Sequence, residues 1–238
     1  MLDDITSIIA QGARDLKIVL PPEAEAAFRT YYTFLENRGQ NVNLTAISGT
    51  EEVARLHFLD SIALLNFAKF KNVKVIDVGS GAGFPGVPLK IAEPSLDLTL
   101  LEPTSKRVDF LLELLDKLAI DATVIKARAE DTAREPGKRE LFDVVISRAV
   151  ARLNILSELC LPFVRVGGLF IAMKGIDTAE EISEARNAIK TLGAEPLDHS
   201  DYNIPGTTVT HRAVVMRKIS TTTDKYPRRY AKIKNSPL

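Results

Sequence analysis

The sequence predicts an α/β fold, a doubly wound and mostly parallel sheet with a nucleotide-type site at its strand ends. Three observations predict it. Residues 73–86 pass from a short apolar, β-branched run into a loop with four glycines in eight residues, and then toward a helix. From residue 73 onward, apolar strand-like runs alternate with stretches of helical periodicity, the pattern of stacked βαβ units. Before residue 70, apolar side chains recur at helical spacing.

Taken in order, the elements are as follows. Phe28, Tyr31, Tyr32 and Leu35 recur at helical spacing and are expected to pack inward. Residues 41–45 are polar and turn-prone. A second amphipathic helix is expected from about Thr50, with Val53, Leu56, Ala63 and Leu64 apolar; His57 and Asp60 lie one turn apart on it and read as a solvated or locally paired face, with no catalytic role. Residues 73–78 form the first strand, and Pro85 opens a helix bearing Val87, Leu89 and Ile91. Residues 98–101 form the second strand. Thr104 caps a helix carrying Val108, Leu111, Leu112, Leu115 and Leu118. Residues 122–126 and 141–146 are the third and fourth strands, followed by a helix with Leu153, Leu156 and Cys160. Gly167 and Gly168 precede a fifth strand at 169–173. Asp177 and Glu180 suggest a capping box for a helix that stops at Gly193. Extended segments at 195–203 and 209–218 pair as a hairpin around Pro205-Gly206. The expectation is a Rossmann-like, seven-stranded sheet with an antiparallel last strand. It carries an N-terminal helical extension (1–70) before the main domain (71–218), and a basic C-terminal tail (219–238) that only a partner orders.

Bulk properties narrow the function. No apolar run approaches the length of a membrane span, and the start Met1-Leu2-Asp3-Asp4 lacks a signal-peptide pattern, so a cytoplasmic protein is expected. A single cysteine, Cys160, excludes an internal disulfide and a multi-cysteine metal site. His57, His199 and His211 show no ligand spacing, and no metal is expected. Net charge is zero, but residues 211–238 hold eight Lys or Arg and one acidic residue, Asp224, leaving 23 and 30 for the remainder. That asymmetry points to an anionic partner.

The glycine loop admits two ligand classes. Residues 81–86 satisfy G-x-G-x-x-G, the dinucleotide pattern. Counted from the strand end, however, the loop begins at Gly79 and reads G-x-G-x-G-x-x-G, with Asp77 two residues ahead. A carboxylate there opposes a pyrophosphate and suits the cationic amino group of S-adenosylmethionine. Glu102, at the end of the second strand, has the spacing for ribose hydroxyls in either class. The plainer alternative is a structural turn with Asp77 as a helix cap. Ala129 and Glu130 follow the third strand and border an adenine, or lie in an ordinary loop. Ser147-Arg148 and Lys174 follow the fourth and fifth.

Among methyl acceptors, a cysteine-dependent pyrimidine C5 is disfavoured because Cys160 falls within a helix. Ser147-Arg148-Ala149-Val150 replaces the Asn/Asp-Pro-Pro-aromatic loop used on exocyclic amines. Guanine N7 has a free lone pair and needs no base, so catalysis would be mostly positioning. Arg148 would hold the cofactor, a phosphate or the guanine O6, or form an ion pair. Lys106 and Arg107 sit unfavourably in the first turn of a helix, a placement RNA phosphate would explain, unless the face is simply solvated. Lys225, Arg228, Arg229, Lys232 and Lys234, interleaved with Tyr226 and Tyr230, suit RNA tracking and stacking, or only solubility.

These segments together resemble the bacterial small-subunit ribosomal RNA guanine-N7 methyltransferase family, also called glucose-inhibited division protein B. The resemblance is carried by residues 75–86, Lys106-Arg107 with Phe110-Leu111, Arg128 to Glu130, Ile146 to Ala149, Asn43 to Ile47 and His57 to Ser61, and covers nearly the whole chain. Where Phe84 stands the family commonly has leucine. The tail is similar to one branch of the family. The resemblance implies S-adenosylmethionine contacts at Gly79, Phe84, Ala129, Glu130 and Arg148, a target guanosine in the 530 loop of 16S rRNA, and a cytoplasmic location. With Asp77, Gly81 and Glu102 these make the expected cofactor set. Lys106, Arg107, Lys174, Arg228 and Arg229 are the expected RNA contacts, on 16S rRNA or the small ribosomal subunit, for a monomer. A nucleotide-cofactor (NAD-type) oxidoreductase and a noncatalytic RNA-binding assembly factor remain the alternatives.

Overall fold

The structure, a computed structural model, describes residues 4–39, 49–148, 151–197 and 200–238. The turn expected at 41–45, the acidic start at 1–3, and Ala149, Val150 and His199 lie outside the described residues.

The sheet is built from β1 (Lys74–Val78), β2 (Asp97–Leu101), β3 (Thr123–Ile125), β4 (Phe142–Arg148), β5 (Val164–Gly175), β6 (Ala194–Pro196), β7 (Ser200–Asn203) and β8 (Thr210–Lys218). Their order is β3-β2-β1-β4-β5-β8-β6, with β7 also on β8. The first five strands are parallel, and β8 is antiparallel to β5. The switch point lies between β1 and β4, which puts the glycine loop at the crevice where this architecture binds ligands. The seventh-strand expectation needs one correction. The segment expected at 195–203 is two short strands, and the register against β8 shifts by one residue between them.

Strand alternation divides the core in two. Val75, Leu98, Leu100, Val144, Ile146 and Val215 face one way and Ile76, Val78, Leu101, Val145, Phe170 and Met216 the other. The first face is covered by α1 (Ile5–Asp15), α2 (Ala24–Gly39), α5 (Gly86–Ala92) and α6 (Ser105–Leu118). The N-terminal helices are therefore a layer of the main core, with Phe28 and Tyr31 fully buried. In α6, Val108, Leu111 and Leu115 point inward as expected, but Leu112 is exposed, because a 100° step carries it off their stripe.

Between these lies a helical run of changing pitch: α3 (Thr50–Val53), a π-helical turn at Ala54–Leu59, α4 (Asp60–Ile62) and a 3₁₀ turn at Ala63–Asn66. His57 and Asp60 are buried there, which overturns the solvated-face expectation. The wide turn spreads inward-facing residues over positions 57–64, and π-turns recur at functional sites.

The second face carries α7 (Ala129–Thr132), α8 (Leu153–Cys160), α9 (Ala179–Thr191) and α10 (Tyr230–Asn235). The capping residue of α9 is Thr178, whose hydroxyl makes no hydrogen bond, so the Asp177–Glu180 box does not form. The tail expectation is also corrected. Tyr226 and Ile233 are buried in the second core. Arg134 donates to the carbonyls of Asp224, Lys225 and Pro227, and Arg139 to those of Thr222, Thr223 and Tyr226. Buried Lys218 bonds Thr222 Oγ1 at 2.6 Å and Glu140 at 3.0 Å. Body arginines thus satisfy the segment's backbone and order it without a partner.

Candidate active site

A cavity of about 850 Å³ opens at the carboxyl ends of the strands. Its centre is the glycine loop, where the chain takes positive φ at Gly79, Gly81 and Gly83. At Gly83 a side chain is also sterically barred: an added Cβ would come within 2.8 Å of the Tyr31 hydroxyl, which itself donates to the Ala82 carbonyl at 2.5 Å. An α2 residue therefore braces the loop from behind.

Glu102 stands at one end of the cavity, nearly inaccessible, its carboxylate accepting from the amides of Gly81 (3.1 Å) and Thr104 (2.9 Å). Arg107 faces it at 3.8 Å, which accounts for a cation in the first turn of α6. Pro103, Thr104, and residues 127–130 after β3 continue this wall. Lys106 is exposed and lies off the cavity.

Asp77 is not on the wall. It is wholly buried beneath the loop, and its Oδ2 accepts from the Gly86 amide at 2.9 Å, at the start of α5. Gly86 permits that approach, since a Cβ there would meet Oδ2 at 2.9 Å. Burial, opposed by the Gly86 bond and Arg148, raises its carboxyl to about 7, and Oδ1 has no partner. Direct pairing with a ligand cation is thus corrected to the plainer alternative, a helix cap, because Asp77 lies within β1, short of the strand end, and the glycine loop covers it.

The opposite end is an aromatic and polar constellation. Phe84 stacks between His57 (4.5 Å) and Tyr31 (5.1 Å), with the Arg148 guanidinium 5.1 Å from its centroid. Arg148 donates to the Leu56 carbonyl (3.1 Å), Asp60 Oδ2 (3.2 Å) and His57 Nδ1 (3.0 Å). Burial, reinforced by Arg148, lowers His57 to about 3, so its ring is a neutral acceptor. Asp60 Oδ1 takes two further bonds at 2.8 Å, from the Tyr202 hydroxyl and His211 Nδ1. The Asp60 bond raises His211 above its ordinary value. Lys174 also lines the cavity, its ammonium on Glu181 and the Ala151 carbonyl, both at 2.6 Å.

Gly79, Gly81, Phe84, Glu102, Ala129, Glu130, Arg148, Arg107 and Lys174 therefore meet at one cavity; Asp77, Lys106, Arg228 and Arg229 do not. The RNA expectation for Arg228 is corrected: it makes a forked pair with fully buried Glu158 at 2.6–3.1 Å, and leaving would strand that carboxylate. Arg229 is exposed beside a smaller cavity of about 300 Å³. Sequence reasoning missed Asp60, Tyr202 and His211, which come from elements some 150 residues apart. The one available signal was that His57-x-x-Asp60 has two polar groups on a helix later found buried.

A parallel sheet with an antiparallel β8, a glycine loop at the switch point and an acidic residue ending β2 define the class I S-adenosylmethionine-dependent methyltransferases. Solved structures agree on the fold. A putative O-methyltransferase from Klebsiella pneumoniae superposes with a TM-score of 0.56 at 18% identity, over 90% of this chain and 97% of the other. TYW2 of M. jannaschii in complex with AdoMet gives 0.53 at 14%, over 75% and 80%. The particular family follows from sequence. A family model described as rRNA small subunit methyltransferase G matches residues 24–213. Proteins named ribosomal RNA small subunit methyltransferase G are 42% identical in Clostridium beijerinckii, over 97% of this chain and 98% of that one. In Caldanaerobacter subterraneus the figure is 44%, over 97% of each. The chain belongs to the rRNA small subunit methyltransferase G family, and the NAD-type oxidoreductase alternative is set aside. Among the described residues no helix is long and apolar enough to cross a membrane, and no cluster of His, Cys, Asp and Glu could hold a metal ion.

Proposed function

We propose that this enzyme transfers a methyl group from S-adenosylmethionine to N7 of a guanosine in the 530 loop of 16S rRNA. The observation that carries the reading is a cavity with a nucleoside-type end and, among the described residues, no available base or nucleophile at the other. Glu102 would hold the ribose hydroxyls, Gly79 and Gly81 would let the ligand approach the backbone, and Ala129 and Glu130 would border the adenine. Phe84 and Arg148, at the opposite end, would border the cofactor on the acceptor side. The cofactor supplies, when bound, an electrophilic methyl group on a sulfonium.

At the acceptor end, Asp60 is spent in bonds to Arg148, Tyr202 and His211. His57 is a poor proton acceptor at neutral pH, and His211 is held toward its protonated form. Cys160 is fully buried, with burial driving its thiol well above the ordinary range. Among the described residues, an acceptor that must lose a proton first has no partner in this arrangement. A ring nitrogen with its own lone pair needs only alignment and exclusion of water. Arg107, Lys174 and Arg148 supply positive charge around the mouth for RNA phosphate or guanine O6. The protein is read as a cytoplasmic monomer: its exposed large apolar side chains, such as Val19, Leu112, Val166 and Ile219, are scattered along the chain.

Mass spectrometry of 16S rRNA from a deletion strain tests the assignment. Loss of one 7-methylguanosine, restored by the gene, is expected; unchanged content refutes it. A protein that binds rRNA but transfers no radiolabelled methyl group would be an assembly factor instead.

A further inference from the structure

We propose that Tyr230, in the C-terminal segment, is a cofactor-binding residue that contacts the adenine end of S-adenosylmethionine. The inference rests on the cofactor placement given above. Tyr230 is the first residue of α10, and its side chain forms part of the cavity wall. The Arg128 guanidinium lies 5.9 Å from its ring centroid. Arg128 belongs to the connection after β3, next to Ala129 and Glu130 and on the Glu102 side of the sheet. Arg148, Lys174 and His211 lie past the switch point, at the ends of β4 and β5 and on β8. Tyr230 is therefore at the nucleoside end, away from where the acceptor would enter.

The segment is held firmly enough to serve as a wall. Ile233 is fully buried against the α8 side of the core. The forked Arg228–Glu158 pair and the 2.6 Å bond from Arg134 to the Pro227 carbonyl pin the residues just before it. Tyr226, the other aromatic of the segment, is buried in that core, which leaves Tyr230 as the segment's aromatic in the cavity. Tyr230 is 37% exposed, so a purine laid against its ring removes apolar area from water on both partners. Arg128 steadies the ring for that contact.

Full-length Tyr230→Ala and Tyr230→Phe are compared with wild type by calorimetry against S-adenosylmethionine and S-adenosylhomocysteine, with thermal midpoints taken without ligand. Removing the ring should weaken both ligands by the same factor, about tenfold, as for loss of one base-stacking aromatic. Tyr230→Phe should stay within about twofold of wild type, and the midpoints should be unchanged because the side chain is partly exposed. Should the alanine variant unfold, Tyr230→Leu replaces it. Wild-type binding with an equally tight alanine variant overturns the proposal, as does weakening confined to the sulfonium form. So does unchanged cofactor affinity with weakened binding of a 16S rRNA fragment, which would make Tyr230 an RNA contact. Failure of wild type to bind either ligand would instead remove the cofactor placement itself.

Discussion

Replacing Asp77 by asparagine should change how the stability of this protein depends on pH. Asp77 is fully buried, accepts one bond from Gly86, and has its carboxyl raised from 3.8 to about 7. A folded-state value above the unfolded one means stability that is complete below 3.8 and is lost as pH rises through about 7. The displacement is about 3 units, and at about 1.36 kcal/mol per unit the full span is of order 4 kcal/mol. Between about pH 5 and pH 8 the loss is roughly 2–3 kcal/mol, which for a chain of this size moves the melting midpoint by about 5–10 °C. Asp77→Asn keeps the acceptor for Gly86 and has no such titration. The difference between the wild-type and variant urea-unfolding free energies should therefore slope across that window, with the variant relatively favoured at the alkaline end. Titrating groups that do not sense Asp77 cancel in the difference. Parallel curves would show that Asp77 is ionised through the range and that its burial does not govern its charge.

Four other outcomes are expected. Glu102→Ala removes the proposed ribose acceptor and the anchor of the Gly81 amide; S-adenosylmethionine affinity by calorimetry should fall about 10- to 100-fold, as for charge-assisted bonds, and wild-type affinity would remove Glu102 from the site. Gly83→Ala combines a φ of 101° with a clash on Tyr31, so it should cost about 1–3 kcal/mol in urea unfolding and weaken cofactor binding. Ile233→Ala should destabilise the whole protein by about 2–5 kcal/mol, since the side chain is fully buried; an unchanged midpoint would return the C-terminal segment to the status of a loose tail. Arg148→Met leaves Asp60 buried with Tyr202 and His211 alone and should cost about 3 kcal/mol while abolishing methyl transfer to 16S rRNA. Retained stability would mean that Tyr202 and His211 alone suffice to hold Asp60.

Much of the fold was legible because its signals are local. The β1 run, the glycine loop, the leucine stripe of α6 and the stop at Gly193 each follow from a few adjacent residues. What was not legible depends on distant partners. Residues 219–238 look like a solvated basic tail because Arg, Lys and Thr dominate. Their order comes from Arg134, Arg139, Glu140 and Glu158, some 70–90 positions earlier. The one-residue difference in register of β6 and β7 on β8 is likewise encoded by no local pattern.

The site itself turns on three carboxylates that a sequence cannot tell apart. Glu102, just past the end of its strand, faces the cavity among backbone donors and Arg107, a placement suited to gripping hydroxyls. Asp77, one strand over, lies inside its strand rather than just past the end, so the glycine loop folds over it and it serves the loop and α5. Asp60, from a helix that looked amphipathic, becomes the meeting point of an arginine, a tyrosine and a histidine. Selection of a sulfonium ligand therefore cannot rest on an acid beside the glycine loop. The dinucleotide and sulfonium readings separate instead at the far end of the cavity. There a bound Asp60 and a neutral His57 fit the proposed alignment of an acceptor that is already nucleophilic.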